Sequence, residues 1–158
     1  MRSCCSRSRI AAGGTPPRSR RPPASRPAPL RLGPPGRYVL QAAIAVEHAN
    51  AATAADTNWD HVAAYYARLA ALEPDPVVEL NRAVAIAMAG DVPAGLARID
   101  ALAGALDRYH YFHAARADLL RRAGAGDEAA AAYARALDLA GNAAERAFLE
   151  RRLAEQGA

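Results

Sequence analysis

Residues 83–102 read AVAIAMAGDVPAGLARIDAL, and residues 117–136 read ADLLRRAGAGDEAAAAYARA. The two stretches agree in side-chain size class at a set of fixed positions when Ala83 is set on Ala117. At that fixed offset Ile86 recurs as Leu120, Gly90 as Gly124 and Gly95 as Ala129. Ile99 is followed by Tyr133, and Leu102 by Ala136. Size class is what stacking constrains. Small residues fit where two helices cross closely, and larger apolar residues fill the layer between.

A 34-residue period is that of the tetratricopeptide repeat, a two-helix unit that stacks into a solenoid. The predicted fold is therefore all-α: stacked antiparallel helix hairpins, about seven helices, over residues 37–156. Solenoids of this kind bind other molecules and rarely do chemistry. Two full repeats are few, because stacks need about three units. The two helices ahead of the repeats should therefore pack as a degenerate leading unit.

The local signals agree. A first helix is expected from Tyr38 to Ala52, and a second capped by Asp56 or Thr57. Trp59, Val62, Tyr66 and Leu69 give the second one apolar stripe at helical spacing. The prolines of Glu73-Pro74-Asp75-Pro76 end it, since a residue before proline avoids the α region. Asp75 then caps a third helix with Pro76 at its first position, where a missing N–H costs nothing. Gly90 should close that helix in a left-handed conformation, and Asp91 opens the fourth. A fifth runs from about Tyr109 to Ala123. Gly124-Ala125-Gly126 turns the chain, and Asp127 is expected to cap the sixth. Asn142 with Glu145 has the form of a capping box for the last helix. Its Arg146, Glu150, Arg151, Arg152 and Glu155 make a polar face suited to the end of a stack.

Charge divides the chain. Residues 1–37 hold nine arginines and no acid, whereas the remainder holds eleven arginines against sixteen acids, a net −5. The basic pI is thus no sign that the helical domain binds nucleic acid. Eight prolines in residues 1–36 remove backbone donors, and this segment cannot bury enough apolar surface to offset its ordering entropy. A disordered tail is expected there. Its readings are a nucleic-acid-binding arm, a flexible tether, or the Arg/Pro mixture that mis-started or out-of-frame translation yields in a GC-rich genome. Cys4 and Cys5 are adjacent, there is no other cysteine, and neighbouring cysteines bridge only with strain. No apolar run of membrane-spanning length occurs, and the N-terminus lacks the apolar core of a secretory signal. A cytoplasmic protein is expected, with no membrane partner.

Several motifs agree in order and spacing with one known group. They are Gly36-Arg37-Tyr38-Val39-Leu40-Gln41-Ala42-Ala43-Ile44-Ala45, Ala55-Asp56-Thr57-Asn58-Trp59 and Pro76-Val77-Val78-Glu79-Leu80-Asn81-Arg82-Ala83. Tyr109-His110-Tyr111-Phe112-His113-Ala114-Ala115-Arg116-Ala117-Asp118-Leu119-Leu120-Arg121-Arg122 and Ala140-Gly141-Asn142-Ala143-Ala144-Glu145-Arg146 complete the set. Over residues 36–156 the chain resembles the C-terminal tetratricopeptide-like extension of a group of extracytoplasmic-function RNA polymerase sigma factors, of the sigma-70 family. The resemblance implies a module that regulates sigma activity through protein contacts. Its partner would be the sigma core regions, RNA polymerase or a regulator. The regions that melt the −10 element and read the −35 element have no counterpart here, which makes the chain a fragment without direct DNA binding by its helical domain. A stand-alone helical-repeat adaptor unrelated to transcription is the alternative.

Candidate sites are few. Asp118, Arg121 and Arg122 fall on repeat positions that line the concave groove, and they are the expected protein-binding residues. Val77, Leu80, Val84, Ala87 and Met88 make the matching face of the earlier repeat apolar; either it binds an apolar partner segment or the first two helices cover it, and cover is the expectation. Asn81 alone does not make the pattern that clamps a C-terminal carboxylate. His110 and His113 have a spacing that suits a metal, but no third ligand follows and packing is the expected role. Trp59, Tyr65 and Tyr66 are expected in the core rather than stacked on bases. No phosphate loop, catalytic triad or cysteine nucleophile is present. No cofactor, metal, small-molecule substrate or enzymatic activity is expected.

Overall fold

The computed structural model describes residues 35–156. The expected tail and its cysteines therefore lie almost wholly outside the described residues. Among these, eight helices and no strand are found: α1 (Arg37–Asn50), α2 (Trp59–Leu72), α3 (Pro76–Met88), α4 (Val92–Asp100), α5 (Ala103–Leu106), α6 (His110–Arg122), α7 (Gly126–Leu139) and α8 (Ala143–Ala154). Helices α1/α2, α3/α4 and α6/α7 form antiparallel hairpins that stack in order, and α8 packs on α7. Among the described residues, no helix is long and apolar enough to cross a membrane.

The period of the sequence appears as repeated backbone geometry. Gly90 and Gly124 both have positive φ, +116° and +80°. After α3, the Gly90 N–H donates to the Ala87 carbonyl and the Asp91 N–H to that of Ile86. After α6, Gly124 donates to Arg121 and Ala125 to Leu120 in the same way. Both are Schellman turns, which satisfy the last carbonyls of a helix and reverse the chain into the next.

Packing repeats as well. Ala83 and Ala117 are fully buried, as is Ala129, and Ile99 and Tyr133 are at most 1% exposed. Gly95 lies where α4 crosses α3. A Cβ there would stand 2.6 Å from the Ala87 Cβ and 2.8 Å from the Ala83 carbonyl oxygen. Three apolar clusters join successive hairpins. Ile44, Val62 and Ala85 tie the first to the second. Leu80, Ile99, Phe112 and Leu119 tie the second to the third. Ala117, Tyr133, Ala136 and Leu149 tie the third to α8.

Three boundaries differ from expectation. The eighth helix is α5, a single turn beyond α4 that sinks Leu106 into the core. The second helix is capped by Asn58, whose side chain accepts from the His61 N–H. Asp56 instead receives hydrogen bonds from the Thr53 N–H and hydroxyl. Asp127 does not cap α7, because the Schellman turn places Ala125 at that position and Asp127 within the first turn. Asp75, Asp91 and Asn142 do cap α3, α4 and α8.

Gly95→Ala should cost about 1–3 kcal/mol, because both atoms it would strike are backbone or Cβ and cannot swing away. Gly104→Ala, where an added Cβ meets nothing within 4 Å, should be neutral or stabilising by up to about 1 kcal/mol. Urea denaturation with unchanged m-values would read both.

Candidate functional site

Asp118, Arg121 and Arg122 are brought together on one face of α6. The Asp118 carboxylate accepts from Arg121 Nη2 at 2.8 Å and from Arg122 Nε at 2.9 Å. Arg152 of α8 approaches it to 3.6 Å. Burial opposes the charge on Asp118, but the two arginine hydrogen bonds outweigh it and hold the carboxyl below its usual range. The Asp118 hydrogen bond raises the Arg121 guanidinium in turn, against the effect of burial. Beneath them, burial pushes the Tyr133 phenol up, opposed by the nearby Arg121, and among the described residues neither its hydroxyl nor Arg121 Nε makes a well-formed hydrogen bond. The cluster ties α6 to α8, and its charges are largely spent on each other.

The open surface continues along the same side of the inner helices α1, α3, α6 and α8, since Tyr111 and Asp118 are seven residues apart on one face of α6. Three hollows follow one another there. One, of about 480 Å³, lies between α1 and α3 and is lined by Ile44, His48, Tyr66, Asp75, Val77 and Asn81. The next, of about 390 Å³, lies between α3 and α6 against Val77, Leu80, Asn81, Val84, Tyr109 and Tyr111. The third, about 50 Å³, lies between α6 and α8 against Tyr111, Ala114, Glu145 and Phe148. Val77 and Asn81 border the first two, and Tyr111 and Ala114 the last two, so the hollows form one groove.

This corrects one expectation. Helices α1 and α2 do not cover the Val77–Leu80–Val84 face. They pack on the adjoining side of α3, against Ala85, while Leu80 is buried toward α4 and α6. Val77 and Val84 are left half-buried at the rim of the groove.

Sequence reasoning singles out Val77 and Leu80 but does not place Tyr111, Ala114, Glu145 or Phe148 in the groove, and these obey the same period. Val77, Tyr111 and Glu145 follow one another at a single repeat offset, as do Leu80, Ala114 and Phe148. Equivalent positions on adjacent inner helices face each other. Tyr111 accordingly donates its hydroxyl to Glu145 at 2.8 Å. That bond holds the Glu145 carboxyl below and the Tyr111 phenol above their ordinary values. Tyr111 and Phe148 remain 49% and 47% exposed. Asn81 is exposed at the junction of two hollows. Among the described residues, its amide is free of intramolecular hydrogen bonds.

The other candidates take structural places. His113 is buried, with Nε2 2.7 Å from the Asp107 carbonyl. His110 Nε2 lies 3.4 Å from the Glu145 carboxylate. Among the described residues, no three His, Cys, Asp or Glu side chains converge as a metal site would require. Trp59 donates to the Ala54 carbonyl at 2.7 Å and packs, with Tyr65 and Tyr66, against the first core cluster.

No family model matches the sequence. The chain is similar to an uncharacterized protein of Rhizobium meliloti, with 42% identity over 124 residues. The match takes in 78% of this chain and 29% of that protein, so the chain spans less than a third of its relative's length.

Because the folded carboxyl of Asp118 is depressed, its pairing stabilises the fold above the unfolded value, about 3.9. That contribution is lost as pH falls through the lower folded value. Asp118→Asn should therefore be less stable than the parent at pH 7. The gap should narrow as the pH drops below about 4. Denaturation curves across that range, with equal stability at pH 7 as the contrary result, check the assignment.

Proposed function

We propose that the chain is the C-terminal protein-interaction module of an extracytoplasmic-function sigma factor. It acts in the cytoplasm on transcription initiation by docking a protein segment rather than by touching DNA. The observation that carries the interaction role is the continuous groove along α1, α3, α6 and α8. It is apolar in the middle and offers two half-exposed aromatic rings, the side-chain type that dominates binding energy at protein contacts. The assignment to a sigma factor rests on the motif resemblance over residues 36–156. The length of the Rhizobium relative, more than three times the matched segment, fits a module of a larger protein.

Within this reading the groove does the recognising. Asn81 supplies a free amide for a bound backbone, and Tyr111 and Phe148 supply apolar contact. Asp118, Arg121 and Arg122 hold α8 in place as the last wall, and their outer atoms contribute at the rim.

Two measurements test the proposal. The DNA upstream of the coding sequence, read in all frames, should encode sigma regions. An antibody raised against residues 60–158 should then detect a native band well above 16.6 kDa. A band at that mass with no sigma regions upstream would favour a stand-alone adaptor. For the groove, Tyr111→Ala combined with Asn81→Ala should weaken capture of the sigma core or polymerase about tenfold or more. Alanine at Asp118, Arg121 and Arg122 together should reduce it by loosening α8. Capture unchanged by both sets would remove the groove assignment.

A further inference from the structure

Helix α1 is apolar almost all round: from Tyr38 to Val46 its one polar side chain apart from the Tyr38 hydroxyl is Gln41. A helix of that composition belongs in an interior. Yet α1 buries only Leu40 and Ile44. At 100° per residue those two define one side, and Tyr38, Val39, Ala42, Val46 and Ala49 fill a 100° arc on the other. All five are exposed, with Tyr38 at 74%, Val39 at 60% and Val46 at 55%. No charged side chain lies in the arc. Glu47 turns away to His61 at 2.9 Å, and Arg37 to Glu73 at 2.9 Å. The far end of the stack is finished differently, since the exposed residues of α8 include Arg146, Glu150, Arg151 and Glu155.

We propose that this arc is an interface for a second copy of the chain, with α1 packing antiparallel on its partner's α1. The spacing of Val39, Ala42, Val46 and Ala49 is that of a coiled-coil seam: i, i+3, i+7, i+10. Antiparallel pairing about a two-fold axis, centred between Ala42 and Val46, sets Val39 opposite the partner's Ala49 and Ala42 opposite the partner's Val46. Each large side chain meets a small one, which makes the seam self-complementary, as an isologous contact requires. A 14-residue helix is about 21 Å long, which puts the contact at the small end of specific interfaces, below about 1,200 Å². The dimer is accordingly weak and concentration-dependent.

Sedimentation equilibrium of the full chain, from about 5 to about 500 µM, reads this directly. The mass should rise from 16.6 kDa toward twice that value. Val46→Glu, at a position exposed in the monomer, should leave the helical circular dichroism unchanged. It should weaken association by at least about tenfold, because the pair would bury a charge. Ala42→Lys should do the same. Mixing the two variants should restore a heterodimer, since antiparallel register sets 42 against 46. A monomer at every concentration, or association indifferent to Val46→Glu, overturns the interface. Dimers lost in both variants but not restored on mixing overturn the antiparallel register.

Discussion

The close crossing of α3 and α4 at Gly95 sets the dimensions of the stack. With Ala83 and Ala87 beneath it, there is no room for even one more carbon. Helices that approach so closely bury their backbones against each other. Larger residues must then fill the layers to either side, as Ile99, Leu80 and Phe112 do. The next hairpin repeats the arrangement with Ala117 and Ala129 at the crossing and Tyr133 in the layer beyond. Interior packing tolerates little change in volume. The width of each hairpin therefore sets how far apart the inner helices stand, and with that the width of the groove.

The features most legible in the sequence were those with a single physical solution. Two glycines at the repeat offset, each ending an apolar helix, leave little but a left-handed turn. Gly90 and Gly124 both adopt it. Asp75 followed by Pro76 allows no helix start elsewhere. Where several residues could serve, the choice passed to neighbours that sequence spacing does not reveal. Asp56, Thr57 and Asn58 are all competent caps, and Asn58 took the role because Asp56 was already engaged by Thr53. Asp127 lost its place to the tightness of the preceding turn. The single turn of α5 was hidden because a one-turn helix has no periodicity to read. Only the burial of Leu106 explains it.

The groove was harder to read because polar side chains on an inner helix have two fates. On the same face they can stay open to the groove or pair across it with the adjoining inner helix. Asp118 takes the second course with Arg152, its counterpart one repeat later. Spacing on one helix cannot separate these fates, and the opposite charge on the next helix decides between them. Carried one period further, the offset that revealed the fold also leads from Val77 through Tyr111 to Glu145. It places α8 as the inner helix of a third unit as well as the end of the stack. Glu145 had looked like half of a capping box. Asn142 does accept from the Glu145 N–H, but the Glu145 carboxylate is drawn to Tyr111.

The two ends of the stack bear unequally on the groove. In a repeat array, stability is a sum of intrinsic and nearest-neighbour terms, so a terminal helix is held only from one side. At the C-terminal end α8 gains Leu149 in the core, the Asp118–Arg152 approach and the Tyr111–Glu145 hydrogen bond. At the other end α1 is held by Leu40 and Ile44, with polar ties of Arg37 to Glu73 and Glu47 to His61 at its surface. Exposed ion pairs contribute at most about 1 kcal/mol each, so α1 rests chiefly on Leu40 and Ile44. It also forms one wall of the largest hollow in the groove. Whatever covers its outer arc adds apolar burial to that wall and fixes its position. If the outer arc is covered as proposed, that contact and binding on the inner face act on one helix, and each favours the other.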